Sequence, residues 1–124
     1  MLDSAVAFVP SHDLARSRAF YEGVLGLEVV DVSDFAIVMR SGHTTIRVTA
    51  VDGWSPQPFT VLGWTVPDIE VEVSALTEAG VRFRHYDGMG QDERGVWTTP
   101  GGDKVAWLVD PDGSLLSLTE PAHP

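Results

Sequence analysis

The sequence contains no cysteine among its 124 residues. This absence excludes disulfide bonds, thiolate nucleophiles and zinc sites built from cysteine. Basic residues are also scarce, since 8 Lys and Arg stand against 18 Asp and Glu, for a formal net charge of −10. Phosphate backbones repel such a chain on average, so we expect no nucleic-acid partner.

Long apolar runs are absent as well. No stretch approaches the roughly 18–20 apolar residues that a membrane-spanning helix requires, and no charged segment followed by an apolar one opens the chain. We therefore expect a cytoplasmic protein with no membrane partner. A chain of 124 residues, 44% of them hydrophobic, has the size and composition of one globular domain.

The sequence does contain a pattern that occurs twice. Asp13 occupies a helix N-cap position after an apolar segment, and Gly26 ends the amphipathic helix that follows. Asp68 and Gly80 repeat these features 55 and 54 residues later. Periodicity and turn residues predict strands over residues 4–10, 27–32, 35–40, 44–51, 59–66, 81–86, 96–99, 103–109 and 114–119.

We interpret residues 1–124 as a single domain of two β-α-β-β-β modules. Module one covers about residues 1–52, the Pro- and Gly-rich linker about 52–58, and module two about 59–120. A helix covers only one face of its sheet, so two such modules must pair to hide the other face. The pattern therefore predicts an α+β fold in which the modules form a cupped, barrel-like mixed sheet with helices outside.

Three stretches resemble the vicinal oxygen chelate superfamily of glyoxalases, bleomycin-resistance proteins and extradiol dioxygenases. They are DLARSRAFYEGVLGLEV (Asp13–Val29), WTVPDIEVEVSALTEAGVRF (Trp64–Phe83) and DPDGSLLSLTE (Asp110–Glu120). Pro111 and Gly113 in the last stretch predict a tight hairpin turn. The resemblance implies the fold and a homodimer, but this superfamily hosts many chemistries, so it does not by itself imply one activity.

The resemblance also implies where a metal would lie. Enzymes of this family usually hold a divalent ion with His, Glu or Gln side chains from the first and last strands of each module. Counting along the strands puts these positions at about Val6, Arg47, Leu62 and Ser117. None is a metal ligand, and a guanidinium repels a cation. We therefore expect no metal and no cofactor, and we assign no catalytic residue.

The four histidines do not rebuild such a centre. His12, His43 and His123 fall before a helix cap, in a turn and in the C-terminal tail, where solvent exposure is expected. His85 falls in a predicted strand among acidic residues and Tyr86. A displaced acid–base or metal site at His85 stays open, beside an ordinary packed or surface histidine.

The candidate binding residues combine a guanidinium, hydroxyl groups and aromatic rings, which suit a small planar ligand with an anionic or carbonyl group. They are Arg47, Thr49, Trp64, His85, Tyr86, Trp97, Trp107 and Ser117. Arg47 could instead form an ion pair, and the tryptophans could be core. The glycine-rich segment 87–95 is the candidate for a mobile, ligand-gating loop.

Three functions are compatible with these observations. The first is a metal-independent small-molecule-binding protein that sequesters an antibiotic or toxin, as bleomycin-resistance proteins do. The second is a glyoxalase- or dioxygenase-type enzyme, a lyase, isomerase or oxygenase, with a displaced or absent metal site. The third is a non-catalytic interaction module.

Overall fold

A computed structural model describes residues 1–123. The chain divides into two compact units, Met1–Pro56 and a second unit that begins at Gln57. The boundary falls inside the predicted linker. Among the described residues, no helix is both long and apolar enough to cross a membrane.

The first unit is a four-stranded mixed sheet with one helical segment. Its elements are β1 (Val6–Ser11), α1 (Leu14–Arg18) with a π-helical continuation (Ala19–Val24), β2 (Glu28–Val32), β3 (Ala36–Ser41) and β4 (Thr44–Ala50). The strand order is β1-β4-β3-β2, with β1 parallel to β4 and the other pairs antiparallel. The order of elements agrees with the predicted β-α-β-β-β plan.

The first helix begins and ends where its sequence signals predict. The Asp13 carboxylate accepts a hydrogen bond from the Arg16 backbone N–H at 3.1 Å, so Asp13 is the N-cap. The helix then widens, because Leu25 N donates to Phe20 O five residues back. Tyr21 is completely buried in this wider turn, and Gly26 ends the segment with φ +77°. Ile37, Ile46 and Val48 are buried on one face of the sheet.

The second unit repeats this plan with shorter strands. Its elements are β5 (Thr60–Thr65), α2 (Ile69–Glu78), β6 (Trp97–Thr98), β7 (Lys104–Val109) and β8 (Leu115–Glu120). The strand order is β5-β8-β7-β6, with β5 parallel to β8. Two four-stranded mixed sheets with few helices confirm the predicted α+β fold class.

Helix α2 is fixed at both ends by side chains and turns. Asp68 caps its start by accepting from Glu70 N and Val71 N, and Glu120 on β8 accepts from Ile69 N at 3.0 Å. Gly80, with φ +96°, ends the helix, and Val81 N donates a hydrogen bond to the carbonyl of Leu76 in the last turn. Ile69, Val73 and Leu76 are the buried residues of the helix, as the spacing predicts.

One predicted strand is wrong. Residues 81–86 form no strand; they contribute one isolated bridge, Phe83 to Leu108, and one further bond from Arg84 N to Trp107 O. The physical reason is Gln91, whose side chain accepts from Tyr86 N and donates to Arg84 O. These are backbone groups that a longer strand would have paired with its neighbour.

The predicted hairpin turn at residues 110–113 is present between β7 and β8. The Asp110 carboxylate is buried, and its Oδ1 accepts from Asp112 N and Ser114 N, both at 2.9 Å. Gly113 has φ +91° and donates to Asp110 O, which closes the turn. This turn sets the register that aligns Ser117 with Trp107.

Candidate functional site

Ser117 lies on the face of the second sheet opposite the buried side chains of Leu116 and Leu118. Buried and half-buried residues alternate along β8, with Leu116 and Leu118 buried and Ser117 half-buried between them. Its register neighbours are Gly63 on β5 and Trp107 on β7. The face that carries Ser117 and its register neighbours Gly63 and Trp107 is called the open face of the second sheet below.

Three aromatic side chains meet at Trp107; Tyr86, Trp97 and Trp107 are called the aromatic corner below. The Trp97 and Trp107 rings are nearly parallel, with centroids 6.2 Å apart and an interplanar angle of 26°. Tyr86 meets Trp107 edge-on, with centroids 5.7 Å apart and an angle of 87°. Two neighbouring indoles and a perpendicular phenol offer both a stacking surface and a side wall to a flat ligand.

Ser117 Oγ occupies the space that a side chain at residue 63 would need. A Cβ on residue 63 would stand 2.5 Å from Ser117 Oγ and 3.3 Å from Ser117 O, so no larger side chain fits without displacing Ser117. In the described residues Ser117 Oγ has no hydrogen-bond partner within the second unit, although the residue is half-buried. The hydroxyl is thus available to a ligand at the open face.

Two other predicted binding residues, Trp64 and His85, lie apart from Ser117 and the aromatic corner. Trp64 has Leu118 as its register neighbour, and Leu118 in turn pairs with Ala106, so Trp64 lies on the face opposite Ser117. His85 is exposed, and within the described residues no ring contact joins it to the aromatic corner. It lies instead along a surface groove with Arg82.

Gln91 holds the segment that carries Tyr86. Its side chain accepts from Tyr86 N at 2.6 Å and donates to Arg84 O at 2.9 Å and to Gly95 O at 2.8 Å. One amide therefore ties both ends of the glycine-rich loop together. These hydrogen bonds favour an ordered loop, whereas the glycine content predicts a mobile, ligand-gating one.

Arg47 and Thr49 lie in the first unit, on the face of β4 opposite the buried Ile46 and Val48. Arg47 is half-buried and pairs in register with Phe8 on β1. Within the first unit, it has no carboxylate within 4.0 Å. The Thr49 hydroxyl is buried and has no hydrogen-bond partner among the described residues, so this face carries both a cation and an unused polar group.

The two units have equivalent strand positions, which can be compared with the metal centre usual in enzymes of the resembled family. Phe8 and Gly63 each stand five residues before the N-caps Asp13 and Asp68, and their register partners on the last strands are Arg47 and Ser117. Of the positions counted from sequence, Val6 lies on the same face of β1 as Phe8, and Leu62 pairs with Leu116 on the face opposite Ser117. None of the four residues so placed is a metal ligand.

The described residues offer no replacement centre. Nowhere in residues 1–123 do three or more His, Asp or Glu side chains converge so as to hold a metal ion. His12, His43 and His123 are exposed, and His12 stacks on Trp54 with ring centroids 4.3 Å apart. The residues present thus do not fit the divalent ion that the fold family implies.

Sequence reasoning missed three residues that shape these surfaces: Phe8, Gly63 and Gln91. A glycine inside a strand pattern marks a close approach of backbone, and this signal could have identified Gly63. Phe8 is identified only through its register with Arg47. Nothing local distinguishes Gln91, because its partners are defined only when the loop closes.

Comparison with known proteins identifies the family. Among solved structures, a bleomycin resistance determinant encoded on transposon Tn5 is 25% identical, with a TM-score of 0.73, over 96% of this chain and 98% of that one. A superfamily member from Sphaerobacter thermophilus is 23% identical, with a TM-score of 0.76 and 98% of both chains covered. A lactoylglutathione lyase from Agrobacterium tumefaciens is 15% identical, with a TM-score of 0.73, over 95% of this chain and 92% of that one.

No curated protein sequence matches the chain. The family model does match, over residues 2–118. The chain therefore belongs to the Glyoxalase/Bleomycin resistance protein/Dioxygenase superfamily.

Proposed function

We propose that the protein binds a planar small molecule without a metal ion and sequesters it rather than transforming it. The observation that carries this proposal is the open face of the second sheet. There the aromatic corner lies beside the Ser117 hydroxyl, which fills the space next to Gly63 and has no hydrogen-bond partner among the described residues of the second unit. Flat aromatic surface with few polar groups is the usual composition of a small-molecule site.

The chemistry of the four equivalent strand positions supports a metal-independent function. Phe8 and Gly63 have no ligand atom, Ser117 offers only a neutral hydroxyl, and Arg47 adds a positive charge that opposes a cation. On its own face of the first unit, the Arg47 guanidinium suits an anionic or carbonyl group rather than a cation. The 25% identity to a bleomycin resistance determinant supports sequestration as the function.

Tryptophan fluorescence tests this proposal. Titration with a panel of planar drugs, metal-free bleomycin among them, should give saturable quenching for at least one compound. The apparent affinity should fall about tenfold in Trp107→Ala, because a stacked ring contributes on the order of 1 kcal/mol or more. Trp54→Phe is the matched control, since Trp54 stacks on His12 in the first unit. Absence of quenching by every compound would contradict the proposal.

Elemental analysis separates this proposal from a metal-dependent glyoxalase- or dioxygenase-type enzyme. Protein purified without chelators should contain no divalent ion in stoichiometric amount, and added Zn²⁺ or Mn²⁺ should not raise its melting temperature. A bound ion that raises the melting temperature stabilises the folded state by mass action and would favour the enzyme instead.

The proposal includes a homodimer in the cytoplasm. Val6 and Phe8 on β1, together with Phe59 and Val61 at the start of the second unit, are exposed apolar side chains on or beside edge strands. Edge strands with apolar side chains are common sites of pairing between chains. Sedimentation velocity at several concentrations tests the dimer, and fractionation of the producing cells tests the location.

A further inference from the structure

A groove of about 360 Å³ lies in the second unit, away from the aromatic corner. Its lining, named the basic groove here, is Thr77, Val81, Arg82, Phe83, His85, Glu93 and Arg94. We propose that the basic groove binds a small organic anion, a carboxylate that carries an apolar group. This site is independent of the function proposed above, because none of its residues belongs to the aromatic corner or to the four equivalent strand positions.

The cations of the groove are free to bind an anion. In the described residues neither Arg82 nor Arg94 has a carboxylate within 4.0 Å, and the His85 ring has no hydrogen-bond partner. Arg94 Nη1 donates to Ser74 Oγ on α2 at 2.7 Å, which holds this guanidinium in place and leaves its other N–H groups unpaired. A planar guanidinium with unpaired donors is well suited to a carboxylate.

The groove also has an apolar wall. Val81 is buried and Phe83 is half-buried, and both face the groove. Phe83 is fixed by its bridge to Leu108 in β7. An apolar group attached to the anion would be covered here, which distinguishes an organic carboxylate from an inorganic ion.

The loop that carries Arg94 is held in a defined shape. Asp92 Oδ1 accepts from Arg94 N and from Val96 N, both at 2.9 Å, and Gln91 joins Arg84 to Gly95. Because the loop is already ordered, little conformational entropy is lost when a ligand binds.

The groove is lined by residues of both charges, so substitutions of opposite sign can test the proposal. Glu93 is the one acidic residue that lines the groove, and together with Arg94 it also borders a second depression lined by Glu70 and Asp92. Arg82 and Arg94 outnumber it within the groove, although the chain as a whole carries a net charge of −10. Removal of Glu93 should therefore strengthen anion binding, and removal of an arginine should weaken it.

The experiment is a titration of ¹⁵N-labelled full-length protein with benzoate, followed in ¹H–¹⁵N NMR spectra. Benzyl alcohol, of similar size but neutral, is the control ligand. We expect saturable benzoate shifts at residues 77, 81–85 and 93–94, and much weaker shifts with benzyl alcohol. Arg82→Gln should raise the dissociation constant about fivefold, and Glu93→Gln should lower it about twofold.

Arg84→Gln is the matched control. It removes the same charge two residues from Arg82, and the Arg84 side chain does not line the groove. Benzoate should bind this variant as it binds the parent protein. The proposal is overturned if benzoate shifts no groove amide up to its solubility limit, or if Arg84→Gln and Arg82→Gln weaken binding equally. Amides of Trp97, Trp107 and Ser117 report the open face in the same spectra, so binding there alone also overturns it.

Discussion

Gly63 and Ser117 lie side by side in the parallel pair β5–β8, so close that a Cβ on residue 63 would stand 2.5 Å from Ser117 Oγ. The equivalent pair in the first unit is Phe8 and Arg47. Each pair joins the first strand of its unit to the last. In the second unit a hydroxyl fills the space next to a glycine, and in the first unit a guanidinium pairs in register with an aromatic residue.

Gly63→Ala should lower the free energy of unfolding by about 1–3 kcal/mol, because the added methyl group displaces Ser117. In a Ser117→Ala background the cost should be smaller, since the crowded Oγ is gone. Urea denaturation of the four proteins in this cycle measures the coupling. Gly23→Ala is the control: nothing lies within 4 Å of the added Cβ, so it should not destabilise. Equal costs in both backgrounds would show that Ser117 Oγ is not the obstacle.

Gln91→Ala should destabilise the protein by about 1–3 kcal/mol, because it removes three hydrogen bonds that close the loop. Gln91→Glu should cost at least as much, since a carboxylate would face the carbonyl oxygens of Arg84 and Gly95. Near-UV circular dichroism should change in both variants as Tyr86 leaves Trp107. Asp87→Ala, an exposed change in the same loop, is the control. Unchanged near-UV spectra would mean that Gln91 does not position Tyr86.

Glu120→Ala should destabilise the protein by about 1 kcal/mol, because it leaves the Ile69 N–H at the start of α2 without its acceptor. Glu120→Gln should cost less, since an amide oxygen can still accept this bond. Thermal and urea denaturation measure both variants. A larger loss for Gln than for Ala would contradict a capping role.

Asp110→Ala should destabilise the protein by about 2 kcal/mol, because the buried turn then contains two backbone N–H groups without an acceptor. Asp110→Asn keeps one oxygen acceptor and should cost less. Asp34→Ala, in the exposed turn between β2 and β3, is the control and should change stability little. If the two aspartates behaved alike in urea denaturation, the hydrogen bonds of Asp110 would not be the cause.

Much of the fold could be predicted from local sequence signals. Asp13 and Asp68 each cap a helix through their own side chains, and Gly26 and Gly80 end the helical segments with positive φ. The turn at residues 110–113 depends on residues within the turn itself. Such features are encoded within a few residues, so the duplicated plan and the α+β class follow from the sequence.

Only the tertiary structure decided which side chains share a face. A shift of one residue along a strand moves every side chain to the opposite face, and the register here pairs Leu62 with Leu116, on the face opposite Ser117. The strand predicted at residues 81–86 also depends on tertiary contacts. Its backbone groups at Arg84 and Tyr86 bond to the Gln91 side chain, five to seven residues away, once the loop has closed. The aromatic corner likewise joins Tyr86, Trp97 and Trp107 through strand pairing, which no local pattern specifies.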